Sequence, residues 1–196
     1  MTPPPRFLDD LPLGRAAWVY AEEAHRGQVR KSDSMPFISH PVEVARLLHD
    51  VRAPDRLVAA ALLHDTVERT DTTAHDLRQR FGRDVAELVG AVSEDPAVDS
   101  YRERKADLRE RATSSGEEAA VLFAADKVSK VRQYRDQLAR SGEETEQPRS
   151  RRLDHYSESL RRLESVIPRH PLVVTLRAEL AELEPFAAVR PRSAVG

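Results

Sequence analysis

The stretch that decides the fold of this chain is Leu57-Val58-Ala59-Ala60-Ala61-Leu62-Leu63-His64-Asp65-Thr66-Val67-Glu68. Its alanines and leucines predict an apolar helix. Such a helix does not ordinarily carry an imidazole beside a carboxylate, because burying an ionised carboxylate is costly unless a partner or a metal compensates. His64 and Asp65 are therefore candidate metal ligands.

Two further groups stand in contexts that suit a bound cation. His40 directly precedes Pro41, a residue that favours the first turn of a helix, and Asp126 lies within the apolar stretch 121–128. Together with His64 and Asp65 they provide two nitrogens and two carboxylates. That set predicts a site for one divalent metal ion.

The pattern of His40, His64-Asp65 and Asp126 resembles that of the HD-domain metal phosphohydrolases. Around it the sequence resembles more narrowly the hydrolase domain of the RelA/SpoT family, in three stretches: 24–32, 36–45 and 59–68. Those enzymes remove the 3′-pyrophosphate from guanosine tetra- and pentaphosphate. The resemblance runs from about Trp18 to Val131, with a weaker echo in the C-terminal helices. It implies a single HD-domain helical bundle that acts on a small phosphorylated nucleotide.

The number of metal ions follows from the histidines between the ligands. Only His75 lies between the His64-Asp65 pair and Asp126, whereas dinuclear HD enzymes draw further histidines from that interval, so we expect one metal. Nitrogen and carboxylate ligands without sulfur suit Mn²⁺, Fe²⁺, Co²⁺ or Zn²⁺, and the resemblance implies Mn²⁺. Four histidines are expected to be ordinary surface or core residues: His49, His75, His155 and His170.

Glu68 is the candidate for activating water. It follows His64 by four residues, which places both on one face of a continuous helix, so its carboxylate could orient or deprotonate an attacking water. The alternative is an exposed carboxylate in a salt bridge with Arg69 or another neighbour.

Arg30 and Lys31 are the candidate substrate-binding residues. They precede the His40 loop, where similar hydrolases use a basic pair near the nucleotide. Arginine can stack on a purine and grip phosphate with a fork of donors, and lysine supplies a point charge. The alternative is a solvated charge pair.

Arg69 and Lys130 depart from the family pattern. The motif normally reads His-Asp-x-x-Glu-Asp, but here Arg69 replaces the last aspartate, and Lys130 stands where the family usually has asparagine. If both face the cavity, its charge rises by three units, two from the first change and one from the second. Anion binding would strengthen and water activation would weaken.

Three functional hypotheses follow. The first is an HD phosphohydrolase for a purine nucleotide, with guanosine tetraphosphate the substrate that the resemblance implies. The second is an HD phosphatase or phosphodiesterase for another phosphorylated metabolite, which Arg69 or Lys130 would hold by its phosphate. The third is a catalytically weakened nucleotide-binding regulator. Retention of all four ligands and Glu68 favours an enzyme.

Composition sets the outer limits. The 196 residues suffice for one well-buried domain, and a net charge of -2 gives no general attraction to nucleic acid or anionic membranes. The absence of cysteine excludes disulfides and thiolate chemistry. No apolar run reaches membrane-spanning length and the N-terminus lacks a signal-peptide pattern, so we expect a cytoplasmic protein.

The chain is predicted to be all-α, because alanine, leucine, glutamate and arginine are frequent and there are only 7 glycines. We expect an unpacked head at 1–12, a hydrolase domain at 13–184 and an unpacked tail at 185–196, with a mobile loop at 141–149. The predicted helices are 13–26, 41–51, 55–69, 73–80, 83–94, 99–113, 116–139, 150–166 and 171–184. Candidate caps and breaks are Pro41, Asp55, Thr73, Ser115, Gly116 and Gly142.

Overall fold

The computed structural model describes residues 3–30, 33–141 and 146–183. Within these ranges the regular secondary structure is helical, apart from one isolated β-bridge between Val29 and Pro36, which confirms the predicted all-α class. A 3₁₀ turn at Arg6–Leu8 precedes ten α-helices: α1 Pro12–Ala24, α2 Ser39–Asp50, α3 Asp55–Leu63, α4 Thr66–Arg69, α5 Ala74–Phe81, α6 Arg83–Val92, α7 Tyr101–Ser114, α8 Glu117–Ser141, α9 Glu146–Val166 and α10 Pro171–Ala181. None of the described helices is both long and apolar enough to cross a bilayer.

Helix α3 is the centre of the bundle. Every residue from Leu57 to Leu63 is buried, and the helix packs against α1, α2, α6 and α8. A helix that is apolar on all sides must be surrounded to be stable. Its C-terminal end therefore delivers His64 and Asp65 into the interior of the protein.

The expected single helix over 55–69 is wrong, because α3 ends at Leu63 and α4 begins at Thr66. At this point two side chains compete with the backbone amides of the helix for its carbonyl groups. The hydroxyl of Thr66 donates to the carbonyl of Leu63 at 2.7 Å, and the ring of His64 contacts the carbonyl of Ala61 at 2.7 Å. Such local side-chain bonds offer the backbone an alternative to the helical ladder.

Of the predicted caps, Thr73 is confirmed, since it forms a reciprocal capping box with Asp76 at the start of α5. Ser115 does not begin α8: it is the C-cap of α7, where its backbone amide donates to the carbonyl of Arg111, and Gly116 with φ +105° separates it from α8. Ser100 caps the N-terminus of α7, where its hydroxyl accepts from the backbone amide of Glu103.

Asp55 does not cap its own helix. Its carboxylate accepts from the amides of Leu13 at 2.9 Å and Gly14 at 2.8 Å, so it caps α1 from outside. Leu11, at the N-cap of α1, has no side-chain acceptor to do this. Pro41 is the third residue of α2 rather than the first.

The predicted head and loop also differ from the structure. Leu8 is fully buried and the ring of Phe7 lies 5.4 Å from that of His49. These two apolar side chains pack part of the predicted head against the bundle. Helix α9 begins at Glu146, and Pro148 is tolerated in its first turn. Gly142, Lys31 and the tail 185–196 lie outside the described residues.

Candidate metal centre

Four side chains from three separate elements meet in the interior. His40 comes from α2, His64 and Asp65 from the turn after α3, and Asp126 from α8, and none is more than 4% exposed. Nε2 of His40 and of His64 lie 3.2 and 3.5 Å from Oδ1 of Asp126. The same two nitrogens lie 3.7 and 3.6 Å from the carboxylate of Asp65. The structure thus brings together all four residues that the sequence predicts as ligands.

Each of these four residues turns one buried atom without a hydrogen bond toward the others. These atoms are Nε2 of His40, Nε2 of His64, Oδ2 of Asp65 and Oδ1 of Asp126. Buried polar atoms almost always have a partner, so four orphans at one point need a common explanation. Ligands about 2.0–2.2 Å from a cation lie roughly 3–3.6 Å from one another, close to the spacing observed here. The residues present therefore fit a divalent cation.

The outer nitrogens of both histidines are fixed by hydrogen bonds. Nδ1 of His64 donates to the carbonyl of Ala61, which leaves a lone pair on Nε2 facing the cluster. Nδ1 of His40 lies 3.0 Å from the hydroxyl of Ser129, which donates to Glu43 at 2.9 Å, and 3.0 Å from Nε2 of Gln133. Outer bonds of this kind orient metal-binding histidines.

Sequence reasoning missed Ser129 and Glu43. Each follows a predicted ligand by three residues, Asp126 in one case and His40 in the other, and so lies one turn further along the same helix. That spacing was the available signal.

Three cations contact the two ligand carboxylates. The ammonium of Lys127 donates to Oδ2 of Asp126 at 2.7 Å, and that of Lys130 lies 2.9 Å from Oδ1. Nε of Arg69 lies 3.6 Å from Oδ2 of Asp65. The guanidinium of Arg69 also stacks over the ring of Phe37, 4.8 Å from its centroid.

These cations change the acidity of the groups they touch. Burial alone would raise the pKa of Asp126, but the charges of Lys127 and Lys130 overcome it and hold the pKa well below its usual range. Burial would lower the pKa of Lys130, but Asp126 and Asp65 raise it instead. For the fully enclosed Lys127, burial outweighs Asp126 and lowers the pKa to about 8.

A cleft of about 390 Å³ lies beside the cluster. Glu68, Arg69 and Lys130 are in its wall, and the carboxylate of Glu68 accepts from the backbone amide of Glu94 at 2.5 Å. Because the helix breaks between α3 and α4, the i, i+4 argument for Glu68 does not hold as stated, although the residue does face the cleft. Among the described ion pairs, Arg69 pairs with Asp65 and not with Glu68.

Arg30 is engaged within its own loop. Its guanidinium forks onto the carboxylate of Asp33, and the two side chains are only 14% and 10% exposed. Asp33 also accepts from the amide of Met35 at 3.1 Å. The structure therefore gives Arg30 a role in positioning Asp33, and its predicted contact with substrate stays a prediction, as does that of Lys31.

The histidines that the sequence assigns no site lie outside the cluster, as expected. His75 is exposed, and buried His155 accepts from Arg109 at 2.9 Å. A further histidine, His25, was not singled out. It is 3% exposed, its Nδ1 lies 3.0 Å from the side-chain oxygen of Gln28, and the amide of Gln28 donates to the backbone of Arg69.

Comparison with known proteins places these features in context. The family model described as the HD domain matches residues 17–147. The Vibrio cholerae protein named guanosine-3′,5′-bis(diphosphate) 3′-pyrophosphohydrolase is 46% identical over 91 residues, which are 46% of this chain and 13% of the relative. The Danio rerio protein of that name is 40% identical over 116 residues, 58% of this chain and 64% of the relative. The chain therefore matches only part of the length of each.

Among solved structures, a metazoan ortholog of SpoT, described as hydrolysing ppGpp, superposes with a TM-score of 0.77 at 26% identity. The match covers 93% of this chain and 98% of that one. The architecture around the four converging side chains is thus shared over almost the whole of both chains.

Proposed function

The chain belongs to the HD-domain family, and from this premise we propose that it is a metal-dependent phosphohydrolase that removes the 3′-pyrophosphate from guanosine 3′,5′-bis(diphosphate). The observation that carries the proposal is the convergence of four buried ligand atoms from His40, His64, Asp65 and Asp126, none of which has a hydrogen bond. The names of relatives that are 40–46% identical over the matched regions support the substrate.

The proposed roles divide between the metal and the protein. His40, His64, Asp65 and Asp126 would hold one divalent cation, Mn²⁺ by resemblance, which polarises a phosphoryl oxygen and makes bound water more acidic. Glu68 accepts the proton of the attacking water from the wall of the cleft.

The remaining proposed roles concern the substrate. Arg69 and Lys130, in the same wall, bind phosphate oxygens. Arg30 and Lys31 bind the nucleotide away from the reacting phosphate. The cytoplasmic location and the absence of nucleic-acid or membrane partners stay predictions.

A second candidate is hydrolysis of a different phosphoester. It is favoured by the positions of Arg69, 3.6 Å from Asp65, and Lys130, 2.9 Å from Asp126, where relatives place an acid and an amide. Two extra cations beside the ligands suit a more anionic or differently shaped phosphate and leave one fewer carboxylate for proton transfer. The third hypothesis is a weakened nucleotide-binding regulator. In that case Arg69 and Lys130 would still hold the phosphates of a nucleotide, but the protein would not hydrolyse it.

One experiment separates these hypotheses. Mn²⁺-loaded protein is incubated with a panel of nucleotides and phosphorylated metabolites, and pyrophosphate and orthophosphate are measured separately. Release of pyrophosphate from guanosine tetraphosphate supports the first candidate, and release of orthophosphate from another compound supports the second. Nucleotide binding without either product supports the regulator.

The metal assignment has its own test. The double variant His64→Ala, Asp126→Ala should lose nearly all bound metal, since two of four protein ligands are removed. His49→Ala, at an exposed position on α2, is the control. Full metal stoichiometry in the double variant, measured by elemental analysis, would refute the assignment.

The loop at Arg30 allows a similar separation of roles. If Arg30 or Lys31 binds substrate, replacement by alanine should raise KM more than it lowers kcat. Asp33→Ala removes the partner of Arg30 while leaving the guanidinium in place. An equal rise in KM for Arg30→Ala and Asp33→Ala would show that Arg30 acts through the loop.

A further inference from the structure

We propose that, through Lys130 and Arg69, a bound phosphate-like dianion strengthens metal binding in this protein. Without the anion the two cations rest on the carboxylates that hold the metal, and with it they turn to the anion and release those carboxylates. The inference rests on the proposed function, because it concerns the same metal centre. It goes further by coupling two ligands and naming the residues that couple them.

The geometry shows the competition directly. The ammonium of Lys130 donates to Oδ2 of Asp126 at 3.1 Å and also lies 2.9 Å from Oδ1, which is one of the four atoms turned toward the metal position. Nε of Arg69 lies 3.6 Å from Oδ2 of Asp65, which is another of them. Each cation therefore approaches an oxygen that the metal needs.

The net charge around the metal position differs between this chain and its family's pattern. Asp65 and Asp126 contribute two negative charges, and Lys127, Lys130 and Arg69 contribute three positive charges, so the group carries a net charge of one positive unit. With the family's aspartate and asparagine in place of Arg69 and Lys130, the same group would carry two negative units. A divalent cation brings that pattern to neutrality but raises this chain to three positive units. A dianion lowers the total to one, which favours simultaneous binding.

Exposure decides which cations can move. The side chain of Lys127 is 1% exposed and fixed between Asp126 and the ring of Phe123, so it acts as a permanent counter-charge. The side chains of Lys130 and Arg69 are 32% and 47% exposed and both line the cleft. They can reach a ligand in the cleft by rotation of the side chain alone. Thermodynamic reciprocity then requires that metal tightens anion binding by the same factor.

The test measures Mn²⁺ affinity without turnover. Free Mn²⁺ is quantified by electron paramagnetic resonance during titration of the protein, in sodium chloride and in sodium sulfate of equal ionic strength. Sulfate serves as the tetrahedral dianion because it is not hydrolysed. In the wild type, sulfate should lower the Kd for Mn²⁺ by about tenfold. This change corresponds to a small part of the repulsion between Mn²⁺ and the side chains of Lys130 and Arg69 at these distances.

Variants assign the effect to Lys130. Lys130→Asn should bind Mn²⁺ about tenfold more tightly in chloride and gain little from sulfate. Lys130→Met should behave alike, since it also removes the charge but keeps an unbranched side chain. Arg177→Asn is the matched control, because it deletes one positive charge from an exposed ion pair with Glu164 on a remote face. Helix content and Tm are recorded for each variant.

Three results would overturn the proposal. If Mn²⁺ binds the wild type equally well in both salts, or if Lys130→Asn and Arg177→Asn give the same Kd, the coupling does not exist, although the metal centre stands. If Mn²⁺ binds under neither condition, the metal centre and the coupling fail together. The proposal is supported if sulfate tightens Mn²⁺ binding to the wild type and to Arg177→Asn but not to the two Lys130 variants.

Discussion

Ser129 shows how strongly the site depends on a side chain that need not touch the metal. Fully buried on α8, it links Nδ1 of His40 to the carboxylate of Glu43. Ser129→Ala removes the hydroxyl that fixes the His40 ring. We expect metal affinity to fall by about 10- to 100-fold, as is typical when an outer partner of a histidine ligand is lost.

The control for Ser129 is Ser159→Ala. Ser159 is also fully buried, but its hydroxyl donates to the backbone of His155 on α9, outside the cluster. Metal titration of both variants checks the prediction. Equal affinities for the two variants would show that the relay to Glu43 does not matter.

Arg69 carries the clearest prediction about substrate choice. The family pattern that the sequence resembles has an acid there, and general acid–base catalysis typically contributes ~10²–10⁴-fold, so a chain that lacks this acid should hydrolyse guanosine tetraphosphate poorly unless another group substitutes. If the native substrate is a different phosphoester, Arg69→Asp should raise kcat/KM for guanosine tetraphosphate and lower it for that substrate, because it adds a carboxylate and deletes an anion-binding fork.

Arg69→Gln is the matched variant, since it removes the cation without supplying a carboxylate. Both variants are assayed on guanosine tetraphosphate and on the best substrate of the panel. If the wild type already cleaves guanosine tetraphosphate rapidly and Arg69→Asp changes nothing, Arg69 takes no part in the chemistry.

The sequence pointed to three of the four residues that converge because of their unusual setting: the imidazole of His64 and the carboxylate of Asp65 in an apolar helix, and Asp126 among alanines. His40 was found from its position before Pro41 and from the resemblance of residues 36–45 to the family. Their partners were hidden because the contacts cross long stretches of chain. Ser129 meets Glu43 across 86 residues, a distance that no local pattern reports. Arg30 is the opposite case, since its partner Asp33 was only three residues away and was overlooked.

At the level of helices, the apolar periodicity predicted the elements well and their ends less well. The break between α3 and α4 depends on the competing bonds of His64 and Thr66, which amphipathic patterning does not detect. The early start of α9, at Glu146, was missed because Gly142 and Pro148 suggested a longer loop. Stripes such as Val85, Leu88, Val89 and Val92 are buried as predicted.

The cap that Asp55 provides for α1 gives a prediction about helix stability. Asp55→Ala should lower the free energy of unfolding by about 1–2 kcal/mol, because the amides of Leu13 and Gly14 lose a charged acceptor. Asp71→Ala is the control, since Asp71 is exposed on the segment between α4 and α5. Urea unfolding of both variants checks the prediction, which fails if the two differ by less than the error of extrapolation.

In the molecule as a whole, the helices are held by the apolar contacts of α3 and by ion pairs between α8 and α10 that include the buried Glu179. Helix α3 supplies apolar contacts on all sides, whereas α10 adds ion pairs to its apolar packing: Glu179 accepts from Arg132 and Arg135 of α8. The all-α class followed from composition, because a chain rich in alanine and leucine with few glycines has little alternative. Which helices pack against each other could not be deduced from composition, since it depends on contacts between segments that are distant in the sequence.

Glu94 links the loop after α6 to α7, and it gives the last prediction, a dependence of stability on pH. Its carboxylate accepts from Arg104 at 2.7 Å and from Lys105, and its side chain is 22% exposed. Burial alone would raise its pKa, but Lys105 and then Arg104 prevail and lower it from 4.5. A depressed pKa means that the unfolded chain takes up the proton first, so the stabilisation is fully present above pH 4.5 and is lost as the pH falls through the folded value.

We therefore expect Glu94→Gln to be less stable than the wild type at pH 7 by about 1–2 kcal/mol, since hydrogen bonds to charged groups contribute on this order. The gap should narrow as the pH falls below 4.5, because the wild type then loses the same charge. Urea unfolding in the presence of a chelator, at pH 7 and at steps that continue well below pH 4.5 for as long as the protein stays folded, measures it. The other carboxylates change the free energy of unfolding with pH in the same way in both proteins, so their contribution cancels in the difference between the two free energies. Glu87→Gln, which breaks an exposed pair with Arg83, should show almost no gap at any pH. A gap for Glu94→Gln that stays constant with pH would mean that the charge of Glu94 contributes nothing and that only the shape of its side chain matters.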